Sequence, residues 1–130
     1  MYTATTEGIS VQVQPQFLED QSKPDEGYYV WAYTIRIENN GRQTVQLVNR
    51  NWKITDARGQ VEEVHGPGVV GKQPVLQPGE SFDYTSGCPL RTPSGFMVGT
   101  YEMRRENGET FLIEIPAFSL DSPFEAGAVN

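Results

Sequence analysis

An all-β domain, a sandwich or small barrel of seven or eight short strands, is the fold class the sequence predicts. Three observations carry this. Apolar residues recur at every second position in one segment after another, the period of a half-buried strand. Nine prolines and thirteen glycines are spread along the chain, so they read as turns between strands and not as a low-complexity tract. No window offers a helical i, i+3, i+4, i+7 apolar stripe of useful length.

The first strand is expected over Ile9 to Leu18, where Ile9, Val11 and Val13 share a face and Pro15 marks an edge position or a bulge. A polar loop, Glu19 to Gly27, follows. Tyr28 to Asn40 is the clearest strand, with Tyr29, Trp31, Tyr33, Ile35 and Ile37 on one face. Asn39-Asn40-Gly41 tolerates positive φ and reads as a hairpin turn into Thr44–Asp56. In that segment Val45, Leu47, Trp52 and Ile54 are apolar, and Asn49-Arg50-Asn51 interrupts the pattern as a bulge would. Ala57-Arg58-Gly59 turns into a strand at Val61–Val64. His65 to Pro74 reads as a glycine-rich loop, Pro78-Gly79 as a tight turn before a strand through Phe82 and Tyr84, and Ser86 to Gly95 as a further loop. Met97 to Arg105 alternates, Glu106-Asn107-Gly108 closes a hairpin, and Phe111, Ile113 and Ile115 share a face in the last strand, ended by Pro116. Residues 1–120 read as a single domain and 121–130 as a flexible C-terminal tail.

At 130 residues the chain suffices for one domain with its own core, without a disulfide or metal. Its net charge of −7 and its scattered basic residues argue against nucleic-acid binding and against an anionic membrane surface. A single cysteine, Cys88, excludes an intrachain disulfide. The N-terminal residues lack the basic and apolar regions of a signal peptide, and no apolar run is long enough to span a membrane. The expected location is the cytoplasm, the expected state a monomer or weak dimer.

Gly66-Pro67-Gly68-Val69-Val70-Gly71 matches G-x-G-x-x-G, with Lys72 next. A dinucleotide fingerprint requires a helix after the glycines, and Gln73-Pro74 followed by Pro78-Gly79 forbids one. The spacing is not that of a P-loop either. Two readings remain. The N–H groups of a glycine-rich turn can cup an anion, with Lys72 adding charge. The plainer and favoured reading is that the glycines and Pro67 carry a connection across the end of the sandwich.

His65, the only histidine, has Glu62 and Glu63 near it, but one imidazole cannot build a typical zinc site, so no metal or cofactor is expected. Cys88 lacks an evident base and reads as a structural thiol. Trp31, Trp52, Tyr29, Tyr33 and Tyr101 read as core by pattern, with a binding surface as the alternative. No nucleophile–base set or paired carboxylates converge, so no catalytic residue is assigned and the expectation is a binding module, not an enzyme.

Six segments together carry a family resemblance: Tyr33–Asn39, Leu47–Asp56, Val64–Gly71, Leu76–Glu80, Tyr84–Leu90 and Gly95–Tyr101. In this order they resemble the ApaG family, also called CorD, over about Ile9 to Leu120. The resemblance implies an immunoglobulin- or fibronectin type III-like sandwich of two antiparallel sheets. It also implies protein–protein interaction, since related domains are fused to an F-box protein and to a DNA-polymerase-interacting protein. In bacteria it implies a link to cobalt and magnesium handling. A pyrophosphate- or nucleotide-binding role of the glycine loop, here Gly66, Gly68, Gly71 and Lys72, is the alternative the resemblance offers.

Overall fold

Alternation becomes two packed antiparallel sheets in the computed structural model, which describes residues 1–124. The strands are β1 (Tyr2–Thr6), β2 (Ile9–Phe17), β3 (Tyr29–Asn39), β4 (Val45–Asp56), β5 (Val61–Pro67), β6 (Val75–Leu76), β7 (Ser81–Leu90), β8 (Gly95–Arg105) and β9 (Thr110–Leu120). One sheet runs β1-β2-β3-β7 and the other β5-β4-β8-β9, with β6 paired to the start of β4. The inward faces of both sheets form one core, in which Val11, Val13, Ile35, Ile37, Leu47, Tyr101, Met103 and Ile113 are fully buried. This is the predicted all-β sandwich.

Among the described residues nine strands form instead of seven or eight. β1 escapes the pattern because Tyr-Thr-Ala-Thr-Thr is mostly polar and only half-buried. It pairs with β2 through a two-residue turn at Glu7 and Gly8, both at positive φ. It also closes one lateral seam of the sandwich. The Glu114 N–H donates to Thr6 Oγ1, and the Ser119 N–H to the Tyr2 hydroxyl. Pro15 lies beyond the end of β1, where β2 is an edge strand.

The Asn39-Asn40-Gly41 turn does not close a hairpin. β3 and β4 lie in different sheets, and the turn carries the chain across the sandwich. Asn39 is completely buried there. Its Nδ2 donates to the Gln43 and Leu76 carbonyls and its Oδ1 accepts from the Gly41 N–H. A buried amide so fully satisfied fixes the crossover more firmly than a two-residue turn would.

Three strands run past the expected ends. β5 takes in His65, Gly66 and Pro67, β7 takes in Ser86 to Leu90, and β9 continues through Pro116 to Leu120. At Pro116 the β8–β9 register slips by one residue, so the buried set changes from Ile113 and Ile115 to Phe118 and Leu120. The bulge admits the proline without losing the strand. The Trp31 indole N–H donates to the Asp121 carbonyl at 2.7 Å, and Phe124 lies against Phe17 and Tyr29, so residues 121–124 rest on the body. The tail expected over 121–130 otherwise falls on 125–130, outside the described residues.

Candidate functional site

The interruption at Asn49-Arg50-Asn51 decides where the polar chemistry of β4 goes. Leu47 pairs with Met103 and Asn49 with Glu102, so β4 carries one extra residue, Val48. Before this bulge the odd positions, Val45 and Leu47, face the core; after it the even positions, Arg50 and Trp52, do. The bulge therefore turns an arginine towards the space between the sheets and sends Asn49 and Asn51 outward.

The bulge also holds the glycine-rich loop. The Val48 carbonyl accepts from the Gly68 N–H at 2.8 Å and from Gln73 Nε2 at 2.9 Å, while the Leu47 N–H donates to Pro74. Val69 and Lys72 exchange both backbone hydrogen bonds around a two-residue turn at Val70 and Gly71, with φ of 44° and 79°. Val69 itself is buried and belongs to the core.

Each predicted loop residue thus has a distinct structural position. Gly66 lies within β5 opposite Arg50, and a Cβ there would stand 3.0 Å from Arg50 Nη1. Gly68 has φ of +60°, and a Cβ would come within 2.1 Å of the Lys72 carbonyl oxygen. Gly71 occupies the turn, and Lys72 is exposed beside it. The N–H groups of Gly68, Val69 and Lys72 are all used inside the loop or against β4. Those of Val70 and Gly71 make no such bond.

Arg50 Nη1 donates to the Pro67 carbonyl at 3.0 Å and to the Gly68 carbonyl at 2.9 Å. Behind the loop a recess of about 200 Å³ is lined by Tyr33, Arg50, Trp52, Val69–Gly71, Tyr84 and Ser86. Burial pushes the Tyr33 phenol above its ordinary pKa and that of Tyr84 further still, so both are neutral hydroxyls at neutral pH. The Tyr84 hydroxyl hydrogen-bonds to that of Tyr101 in the core.

On the outer face of the same sheet the registers build two rows across four strands. Asn49 stands beside Pro67, Glu102 and Leu112, and Asn51 beside His65, Thr100 and Glu114. All of these but Glu114, together with Arg50 and Gly66, border a shallow concavity of about 580 Å³. Asn49 Nδ2 donates to Glu102 Oε1 at 2.6 Å, Leu112 is 60% exposed, and Asn51 Oδ1 is shut off from solvent without a donor among the described residues. Sequence reasoning missed this surface because its residues come from four strands and carry no linear spacing; the one legible signal was the bulge.

His65 is exposed, with its Nε2 3.8 Å from Glu63 Oε1. Cys88 is buried on β7, and burial pushes its thiol up to about 11, so it is protonated at neutral pH. Trp31, Trp52, Tyr33 and Tyr101 are core, and Tyr29 packs at its margin. No helix among the described residues is long and apolar enough to cross a membrane.

These features define an immunoglobulin-like β-sandwich module, with a loop buttressed by a strand bulge and two recesses on either side of the bulged sheet. The chain belongs to the ApaG domain family, whose profile matches residues 19–105. It is 61% identical to Protein ApaG of Paramagnetospirillum magneticum over 130 residues, all of both chains. It is 63% identical to Protein ApaG of Parvibaculum lavamentivorans over 123 residues, 95% of each. Among solved structures it is similar to a Bordetella pertussis protein assigned as ApaA, with a TM-score of 0.86 and 50% identity over 88% of this chain and 94% of that one.

Proposed function

We propose that this ApaG domain is a non-enzymatic, cytoplasmic binding module that engages another protein through the outer face of β5-β4-β8-β9. The observation that supports it is the cross-strand concavity, where an exposed leucine, Leu112, lies among side chains able to hydrogen-bond, namely Asn49, Asn51, His65, Thr100 and Glu102. An apolar contact ringed by polar groups is the anatomy of a protein interface. In this reading the link to cobalt and magnesium handling runs through that partner, and a deletion strain with unchanged cobalt sensitivity would remove it. Pull-down with the full chain tests the module. A saturable partner lost on Leu112→Arg is expected; no saturable partner, or one indifferent to Leu112→Arg and Thr100→Arg, contradicts it.

A second reading, pyrophosphate or nucleotide binding by Gly66, Gly68, Gly71 and Lys72, is favoured by a narrower observation. The Val70 and Gly71 N–H groups make no hydrogen bond among the described residues and adjoin the exposed Lys72. Amide shifts confined to residues 70–72 on titration with pyrophosphate or ADP, and lost in Lys72→Ala, are its expected signature.

A further inference from the structure

We propose that the recess between the sheets, behind the Val69–Gly71 turn, binds a compact oxyanion (a phosphate or a small carboxylate) held by Arg50. The bulge at Val48 turns Arg50 into this space. There Arg50 is half-buried, and among the described residues no Asp or Glu oxygen lies within ion-pair distance of its guanidinium. A cation drawn out of water without a counter-charge is costly, and an anion relieves that cost.

The donors point to the ligand's chemistry. Only Nη1 is engaged, by the Pro67 and Gly68 carbonyls. These two bonds fix the guanidinium plane. Nε and Nη2, the edge that grips a carboxylate or phosphate in a two-pronged fork, make no hydrogen bond among the described residues. The facing wall, from the other sheet, supplies neutral hydroxyls. Tyr33 and Ser86 are a direct cross-strand pair, and Tyr84 stands two residues before Ser86 on β7. Among the described residues no carboxylate lines the recess. At about 200 Å³ the space is below the roughly 300–1,000 Å³ of sites that hold drug-sized ligands, so a small anion suits it and a nucleotide does not.

This site is distinct from the outer surface of the turn, where Lys72 lies, and shares only Arg50 with the concavity on the outer face of the sheet. The experiment is a titration of the full chain, labelled at backbone amides and arginine Nε, with inorganic phosphate, acetate and chloride at constant ionic strength. A saturable shift of Arg50 Nε and of the Val69–Gly71 amides is expected with phosphate, acetate or both. Saturation by phosphate alone identifies a phosphate site, and by acetate alone a carboxylate site. Arg50→Gln should abolish the shift. Tyr33→Phe and Ser86→Ala, which keep the loop's anchor, should weaken it several-fold, and Lys72→Ala should leave it unchanged. No saturable shift with either anion, equal shifts with chloride, or loss in Lys72→Ala with retention in Tyr33→Phe would overturn the proposal. Any of these leaves the protein-binding reading intact, since that is read at Leu112 and Thr100.

Discussion

Arg50 and Gly66 face each other across the β4–β5 ladder, and the arginine guanidinium fills the space that a side chain on Gly66 would need. The pair explains a glycine that lies in a strand and not in a turn. It also orders the effects of alanine in the loop. Gly66→Ala presses on the tip of a flexible side chain and should cost about 0.5–1 kcal/mol. Gly71→Ala meets open space but keeps an unfavourable φ, at about 1–2 kcal/mol. Gly68→Ala combines that strain with a collision against the Lys72 carbonyl and should cost about 3 kcal/mol or more. Urea unfolding of the three variants checks the order.

Asn39 should be the most sensitive polar residue of the fold. Asn39→Ala leaves the Leu76 and Gln43 carbonyls and the Gly41 N–H without partners, an expected loss of about 2–4 kcal/mol. Asn39→Asp should do no better, since an acceptor replaces two donors. Thermal unfolding of both variants measures this.

Tyr84 and Tyr101 share a buried hydroxyl pair. Either single change to Phe strands the other hydroxyl, whereas the double change removes both polar groups together. The double variant should therefore lose less stability than the sum of the singles, with a coupling of about 1–2 kcal/mol in a double-mutant cycle.

Cys88 and the core tyrosines make the fold sensitive to alkali. The folded Cys88 pKa of about 11 lies above the ordinary thiol value of 9.0, chiefly through burial. Between these values the folded state holds a proton that the unfolded chain has released, so stability falls as pH rises through this window. Tyr84, raised by burial in the same sense, extends the loss above pH 10. Urea midpoints should be flat up to about pH 8 and decline from pH 9 upward, less steeply in Cys88→Ala. Iodoacetamide should label native Cys88 slowly at pH 8 and promptly in urea, because the native thiol is both buried and protonated.

Much of the fold was legible because burial writes itself into a sandwich strand at period two. Tyr29 to Ile37 showed its inward face directly, and the turns at Gly59 and Gly108 were marked by residues suited to positive φ. The failures have specific causes. β1 is a polar edge strand with little to bury, and its sequence resembles a loop. The Asn39 turn has hairpin residues, but whether a turn joins neighbours or crosses between sheets depends on what the buried amide bonds, here Leu76 from far along the chain. Gly66 and Pro67 read as loop because their strand partners, Arg50 and Asn49, are polar. The candidate sites were less legible still. The Asn49-Arg50-Asn51 interruption signalled a bulge, but only the register shows that it aims Arg50 inward and the two asparagines outward.

Photo-cross-linking tests the central claim, a protein partner on the outer face of the five-stranded sheet, most directly. A photoreactive residue at Thr100, at the centre of that face, is compared with one at Thr34 on the outer face of the other sheet. In cells, a discrete protein adduct from position 100, absent from position 34 and lost on Leu112→Arg, is the expected result. No adduct at position 100, or equal adducts at both positions, would contradict the account.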